Sequence, residues 1–159
     1  MLKCFETAKK ENSDLIYFVE DDYLHFENSL TDMINTYERV SSQIEKDIII
    51  CPCDYPFNYM SNEKTNILIG SNQHWRTVQK ILCTFMISKK MLEKYWDNLI
   101  KTCEKRHDPF EKYINEILLN EIGISPINTL SIHLTNVNSS YGLSPFVDIK
   151  KLWDENNTS

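Results

Sequence analysis

The sequence lacks three features that would each indicate a common class of protein. It has no block of lysine and arginine residues and its formal net charge is -6. We therefore expect no nucleic-acid partner, because phosphate binding needs a basic patch. No apolar run approaches the roughly 20 residues that cross a bilayer, so we expect no transmembrane segment. The first eleven residues also lack the apolar core of a signal peptide, which predicts a cytoplasmic protein.

Cysteines are few and odd in number, with 5 among 159 residues. In a reducing compartment this count favours free thiols over a disulfide framework. Cys51 and Cys53 are separated by one residue, and no second Cys/His pair follows at zinc spacing. Buried strand cysteines are therefore favoured over a metal or redox pair.

Length and composition predict one folded, soluble domain. The chain is 42% hydrophobic and 25% charged, which is ordinary for a globular protein and argues against disorder. Its length suits one buried core but not two. We expect a single domain over residues 1–159, with residues 135–159 as a tail that packs partly through Phe146 and Trp153.

Hydrophobic patterns predict alternating helices and strands, and therefore an α/β fold. A continuous apolar run over residues 15–19 is typical of a strand covered on both faces. A helix over residues 29–43 and a second strand over residues 47–53 then suggest a parallel βαβ unit. Short strands are expected over residues 66–70, 75–79, 81–88 and 127–134. Helices are expected over residues 2–11, 88–103, where Ser88 is the N-cap, and 108–120, with Gly123 beyond the helix end.

Three carboxylates follow the first predicted strand directly: Glu20, Asp21 and Asp22. Ligands of open α/β sheets bind beyond the carboxyl ends of strands, and adjacent carboxylates repel one another without a cation. Mn²⁺ or Mg²⁺ accepts one or two carboxylates while it retains waters and substrate phosphates. The cluster therefore predicts a metal site for a diphosphate; the alternative is a solvated turn that leads into a helix cap.

The stretch 14–30, which contains Tyr-Phe-Val-Glu-Asp-Asp-Tyr-Leu-His, resembles the metal-binding strand end of GT-A-type glycosyltransferases of the family 2 kind. In these enzymes a DxD-type motif holds the metal and the diphosphate of a sugar nucleotide, and Glu20 stands at its first position. The resemblance implies a GT-A-like, partially Rossmann-like mixed sheet flanked by helices. It also implies transfer of a sugar from a nucleotide-sugar donor to a saccharide or glycan hydroxyl. GT-A enzymes place a nucleotide-binding half before the motif, and only residues 1–14 precede the strand here, so the resemblance is to the carboxyl-terminal portion.

The resemblance also implies roles for residues elsewhere in the chain. It makes His133 a further metal ligand, for which a structural histidine is the alternative. It makes Asp108 the general base that deprotonates the acceptor hydroxyl, although Asp108 before Pro109 also fits a helix N-cap. The residues implied in substrate binding are Asp54, Tyr55, Trp75, Arg76 and Thr84.

Two other functions remain open from the sequence. In a response-regulator receiver domain, Asp54 would be the phosphoacceptor, Thr84 the switch hydroxyl and Lys105 the lysine. A receiver needs two crossover helices and a strand between its acidic pair and its phosphoacceptor, whereas residues 22–54 accommodate one helix and one strand. The third hypothesis is a non-catalytic remnant that binds a glycan or a protein partner. The sequence predicts neither the oligomeric state nor the donor sugar.

Overall fold

The computed structural model of the chain describes residues 1–60, 62–104, 109–135 and 147–157. Its helices are α1 Leu2–Lys10, α2 Ser29–Ile44, α3 Lys89–Lys94, α4 Trp96–Glu104, α5 Lys112–Ile117 and α6 Ile149–Asn156, with a 3-10 helix at Pro56–Tyr59. Its strands are β1 Leu15–Phe18, β2 Tyr23–His25, β3 Ile48–Ile50, β4 Ile67–Ile69, β5 His74–Val78, β6 Phe85–Ser88, β7 Ile122–Pro126 and β8 Ser131–His133. Across these four ranges, no helix is both long and apolar enough to cross a membrane.

Six strands form one mixed sheet in the order β1-β6-β3-β7-β5-β4. The pair β3 and β7 is parallel, whereas β6 runs antiparallel to its neighbours β1 and β3. This arrangement confirms an α/β fold with a mixed sheet flanked by helices. Strands β1 and β3 run parallel to each other and are connected through α2, as the expected βαβ unit requires, but they are not adjacent because β6 lies between them. Strand β1 is therefore an edge strand, and its first three residues are half-buried rather than covered on both faces.

Strand β3 lies inside the sheet and separates two hydrophobic cores. Ile49 contributes to the core beneath α1, α4 and α5, whereas Ile48 and Ile50 contribute to the core beneath α2. This division follows from the alternation of side chains along a strand. All three isoleucines are at most 1% exposed, as expected for a strand covered on both faces.

The sequence pattern did not reveal β7, which lies between β3 and β5. Gly123 belongs to this strand, so its predicted place beyond a helix end is wrong. A Cβ atom at Gly123 would lie 2.7 Å from Leu118 Cδ2 and 3.3 Å from the carbonyl oxygen of Val78. The glycine is therefore explained by close packing within the sheet.

The helices after β6 agree with the sequence prediction in part. Ser88 caps α3 as expected, because its Oγ accepts a hydrogen bond from the Met91 N–H at 3.0 Å. The single helix expected over residues 88–103 is divided into α3 and α4 at Tyr95. Near the carboxyl terminus, Leu152, 1% exposed, anchors α6, and Trp153 is 48% exposed. Phe146 lies outside the described residues.

The cysteines behave as core residues. All five are free, and Cys51, Cys53 and Cys83 are buried. Burial raises the pKa of the Cys53 thiol to about 12 and that of Cys51 further in the same direction. Both thiols are therefore protonated at neutral pH. Their predicted burial is confirmed, although Cys51 follows the end of β3 and Cys53 forms an isolated bridge with Ser131.

Candidate functional site

The acidic residues Glu20, Asp21 and Asp22 lie in the turn between β1 and β2. They follow β1 after a single intervening residue, so they lie beyond its carboxyl end. The backbone N–H of Glu20 donates a hydrogen bond to Thr84 Oγ1 at 3.0 Å, and Thr84 is fully buried. Thr84, which the resemblance implied in substrate binding, thus holds the start of the acidic turn beside β6.

Two predicted metal ligands, Asp22 and His133, meet in the folded chain. His133 Nε2 lies 2.7 Å from Asp22 Oδ2, and the two side chains are 17% and 39% exposed, respectively. The contact arises because β2 pairs with β8 in a separate two-stranded sheet, in which Tyr23 lies opposite His133. The Leu134 N–H also donates to the carbonyl oxygen of Asp22 at 2.9 Å. Backbone pairing therefore fixes both side chains at the open end of the turn.

Aromatic contacts support the imidazole of His133 from its inner side. The ring of Tyr23 stacks on it with centroids 4.7 Å apart and planes 9° from parallel. Tyr23 Oη is hydrogen-bonded to Tyr55 Oη at 2.6 Å, and both tyrosines are buried. Burial raises the pKa of both phenols, so they are neutral at physiological pH. Tyr55 thus helps to hold Tyr23 in place, and Tyr23 in turn stacks on His133.

The surroundings of Glu20 disfavour the ionised form of its carboxyl group. Partial burial raises its pKa, and the Asp22 carboxylate raises it further, whereas His133 acts in the opposite direction. Glu111, just before α5, and Asp21 add smaller repulsions. A cation bound at the turn would relieve this repulsion and favour the ionised form.

The donor set at the turn suits an open metal site better than a closed one. Among the described residues, no three or more His, Cys, Asp or Glu side chains form a group that could hold a metal ion. Magnesium rarely needs such a group, because it keeps several waters and uses one or two protein carboxylates together with substrate phosphates. Asp22 and His133, with Glu20 nearby, offer donors of the kind that such an open site requires.

A buried polar cluster follows β3. Arg76 Nη2 donates to Asp54 Oδ1 at 2.6 Å, and the two side chains are 9% and 0% exposed. Tyr59 Oη donates to Asp54 Oδ2 at 2.6 Å, and the Arg76 guanidinium lies 4.4 Å from the centroid of the Tyr59 ring. The Asp54 N–H donates to Thr129 Oγ1 at 3.0 Å. The guanidinium of Arg76 is therefore directed at Asp54 and holds the loop after β3.

Trp75, which the resemblance implied in substrate binding, is not at the open turn. Trp75 is fully buried in the core beneath α2. Asp108, the predicted general base, lies outside the described residues, as does Lys105. The structure thus brings Asp22 and His133 into contact, with the charge of Glu20 influenced by both.

Sequence reasoning missed two residues that contact the imidazole, Tyr23 and Thr135. Thr135 Oγ1 lies 2.9 Å from His133 Nδ1, and Tyr23 forms the ring stack. The only local signal for Tyr23 is the alternation of the three residues in β2, which is too short to identify a strand. Long-range pairing with β8 therefore determines its role.

No protein-family model, curated protein or solved structure matches the chain. The interpretation of the site therefore depends on its geometry. That geometry counts against a receiver domain, because residues 22–54 contain one helix, α2, where a receiver needs two. Asp54 is moreover buried in an ion pair with Arg76, a poor position for a phosphoacceptor.

Proposed function

We propose that the chain carries the metal and diphosphate site of a glycosyltransferase, which moves a sugar from a nucleotide-sugar donor to a saccharide or glycan hydroxyl. The main support is the contact between Asp22 and His133, which are 111 positions apart in sequence and 2.7 Å apart in the fold. The resemblance implies both residues as ligands of one metal. A mixed sheet with an acidic turn beyond a strand end also supports a partial GT-A-like fold.

A bound Mn²⁺ or Mg²⁺, held by Asp22 and His133 with Glu20 alongside, would stabilise the negative charge of a departing nucleoside diphosphate. The protein's own residues have distinct tasks in this scheme. Thr84 fixes the backbone of Glu20, and Tyr23 restrains the plane of the imidazole. Asp108 remains the predicted base that accepts the proton of the acceptor hydroxyl.

Calorimetric titration tests the proposal. The protein is titrated with Mn²⁺ alone and then with a panel of nucleoside diphosphates in the presence and absence of Mn²⁺. We expect nucleotide binding to require Mn²⁺, because a cation held at the turn would offset the repulsion between the diphosphate and the carboxylates. Asp22→Asn and His133→Gln should each weaken Mn²⁺ binding at least about tenfold. Asp14→Asn is the matched control, since Asp14 is exposed at the opposite end of β1, and it should bind Mn²⁺ like the unmodified protein.

Unchanged Mn²⁺ affinity in both site variants would contradict the proposal, as would nucleotide binding that is indifferent to the cation. Thermal unfolding of each variant in metal-free buffer distinguishes loss of the site from loss of the fold. Modification of Asp54 by acetyl phosphate would instead support the receiver hypothesis.

A further inference from the structure

A groove lies beside α5. Its volume is about 770 Å³, within the roughly 300–1,000 Å³ typical of small-molecule sites. Ile81, Leu82 and Leu118 contribute apolar surface, and Leu119, 81% exposed, lies at its rim. Glu111 also lines the groove, and its charge helps to raise the pKa of Glu20. Glu111 therefore lines the groove and also influences the ionisation of Glu20 in the acidic turn.

Aromatic contacts join the groove to the metal candidates. Phe57 lines the groove and stacks on Tyr55, with ring centroids 5.0 Å apart and planes 16° from parallel. Tyr55 is hydrogen-bonded to Tyr23, which in turn stacks on His133. The groove and the Asp22–His133 contact are thus parts of one continuous packed structure.

The charged groups of the groove disfavour an anionic ligand. Among its described lining residues, three carboxylates, Glu63, Glu111 and Glu116, accompany two ammonium groups, Lys80 and Lys112. Lys80 is moreover paired with Glu63, with 3.1 Å between Nζ and Oε1. An anion would therefore meet a slight excess of negative charge, whereas hydroxyl groups can donate hydrogen bonds to the carboxylates.

We infer that this groove binds an uncharged saccharide and serves as the acceptor subsite, the latter assignment resting on the proposed function. Phe57 offers a flat apolar surface to one face of a sugar ring, and Glu111 offers acceptors to its hydroxyls. The side chain of Asn115 is fixed because its Oδ1 accepts a hydrogen bond from the Ile81 N–H at 2.8 Å. Its amide nitrogen supplies two donors for ring or hydroxyl oxygens. Apolar faces combined with a few fixed polar groups are typical of specific small-molecule sites.

An array of immobilised oligosaccharides, with neutral, uronate-containing and sialylated members, tests this inference in buffer without metal or nucleotide. We expect the protein to bind neutral members and to reject the anionic ones. Phe57→Leu, which keeps apolar bulk but removes the ring, should weaken binding about 2- to 12-fold. Glu111→Gln should admit uronate-containing members, because it removes a repelling charge. Glu6→Gln, at an exposed position on α1, should leave the binding pattern unchanged.

Preferential binding of anionic members would overturn the inference, and so would the absence of binding to any oligosaccharide or unaltered affinity in Phe57→Leu. Thermal unfolding shows whether each variant retains its fold. The calorimetric experiment separates this inference from the proposed function. Neutral saccharide binding without Mn²⁺-dependent nucleotide binding leaves saccharide binding by the groove standing but refutes the transferase and, with it, the acceptor role. The converse result refutes saccharide binding by the groove alone.

Discussion

The buried ion pair between Arg76 and Asp54 allows a quantitative test of how the loop after β3 is held. Arg76 Nη2 lies 2.6 Å from Asp54 Oδ1, and the side chains are 9% and 0% exposed. Removal of one partner leaves an uncompensated interior charge, which costs about 3–5 kcal/mol. For a domain of this size each kcal/mol lowers the melting temperature by roughly 2–4 °C. We therefore expect Arg76→Met to lower it by roughly 6–20 °C.

Urea unfolding of two single variants and the double variant measures the interaction itself. Asp54→Leu should be as destabilising as Arg76→Met, because it leaves a guanidinium buried. In the double variant neither charge remains, so its loss of stability should fall short of the sum of the single losses by at least about 1 kcal/mol. Lys90→Met is the control, because Lys90 forms a 3.8 Å pair with Asp47 and its side chain is 85% exposed. Its effect should stay within about 0.5 kcal/mol.

A loss of stability below about 1 kcal/mol in each single variant would refute the claim that the pair stabilises the interior. A loss in the double variant equal to the sum of the two single losses would refute it as well. The same variants address the substrate role implied for Arg76 and Asp54. Loss of nucleotide or saccharide binding in Arg76→Met without loss of stability would favour direct contact with a ligand. Loss of ligand binding together with loss of stability would instead indicate that the ion pair supports the loop after β3.

Two further predictions concern other buried positions. Burial lowers the pKa of His25, so the unfolded chain takes up a proton first as the pH falls. The free energy of unfolding should therefore decrease below about pH 6.5, by up to about 1.4 kcal/mol per pH unit. Urea unfolding measured at a series of pH values should show a smaller decrease in His25→Gln. The exposed control His74→Gln should show the same decrease as the unmodified protein. A Cβ atom at Gly70 would lie 2.3 Å from the indole of Trp75, so Gly70→Ala should cost about 1–3 kcal/mol or more. A smaller thermal destabilisation than in Gly123→Ala, where the nearest atom belongs to a flexible side chain, would contradict this reasoning.

Local patterns predicted the features that neighbouring residues determine. The helix α2, the strand β3 and the N-cap Ser88 are set by apolar spacing and capping chemistry, and each was found close to its expected place. The burial of Cys51 and Cys53 follows from the same apolar run. The mixed α/β sheet was likewise predictable, because strands alternate with helical segments along the chain.

Strand neighbours were not predictable, because partners distant in sequence determine them. Strands β1 and β3 are parallel, as the predicted βαβ unit requires, but the sequence did not show that the antiparallel strand β6 lies between them. Strand β7 was hidden because Gly123 and Pro126 are typical of loops and turns. Gly123 fits in β7 because a Cβ atom there would meet Leu118 and Val78, and Pro126 fits because it is the last residue of the strand. Neither reason is visible in the local sequence.

The candidate site shows the same division between local and distant determinants. The acidic turn follows directly from the chain, whereas the place of His133 beside Asp22 depends on the register of two three-residue strands. A slip of one residue would turn the imidazole to the opposite face of β8. Two contacts oppose that slip: the bridge between Cys53 and Ser131 and the hydrogen bond from the Leu134 N–H to Asp22. Because backbone contacts set this register, Asp22→Asn should remove the proposed metal ligand without moving His133, and loss of Mn²⁺ binding in that variant would report on chemistry at the turn rather than on the fold.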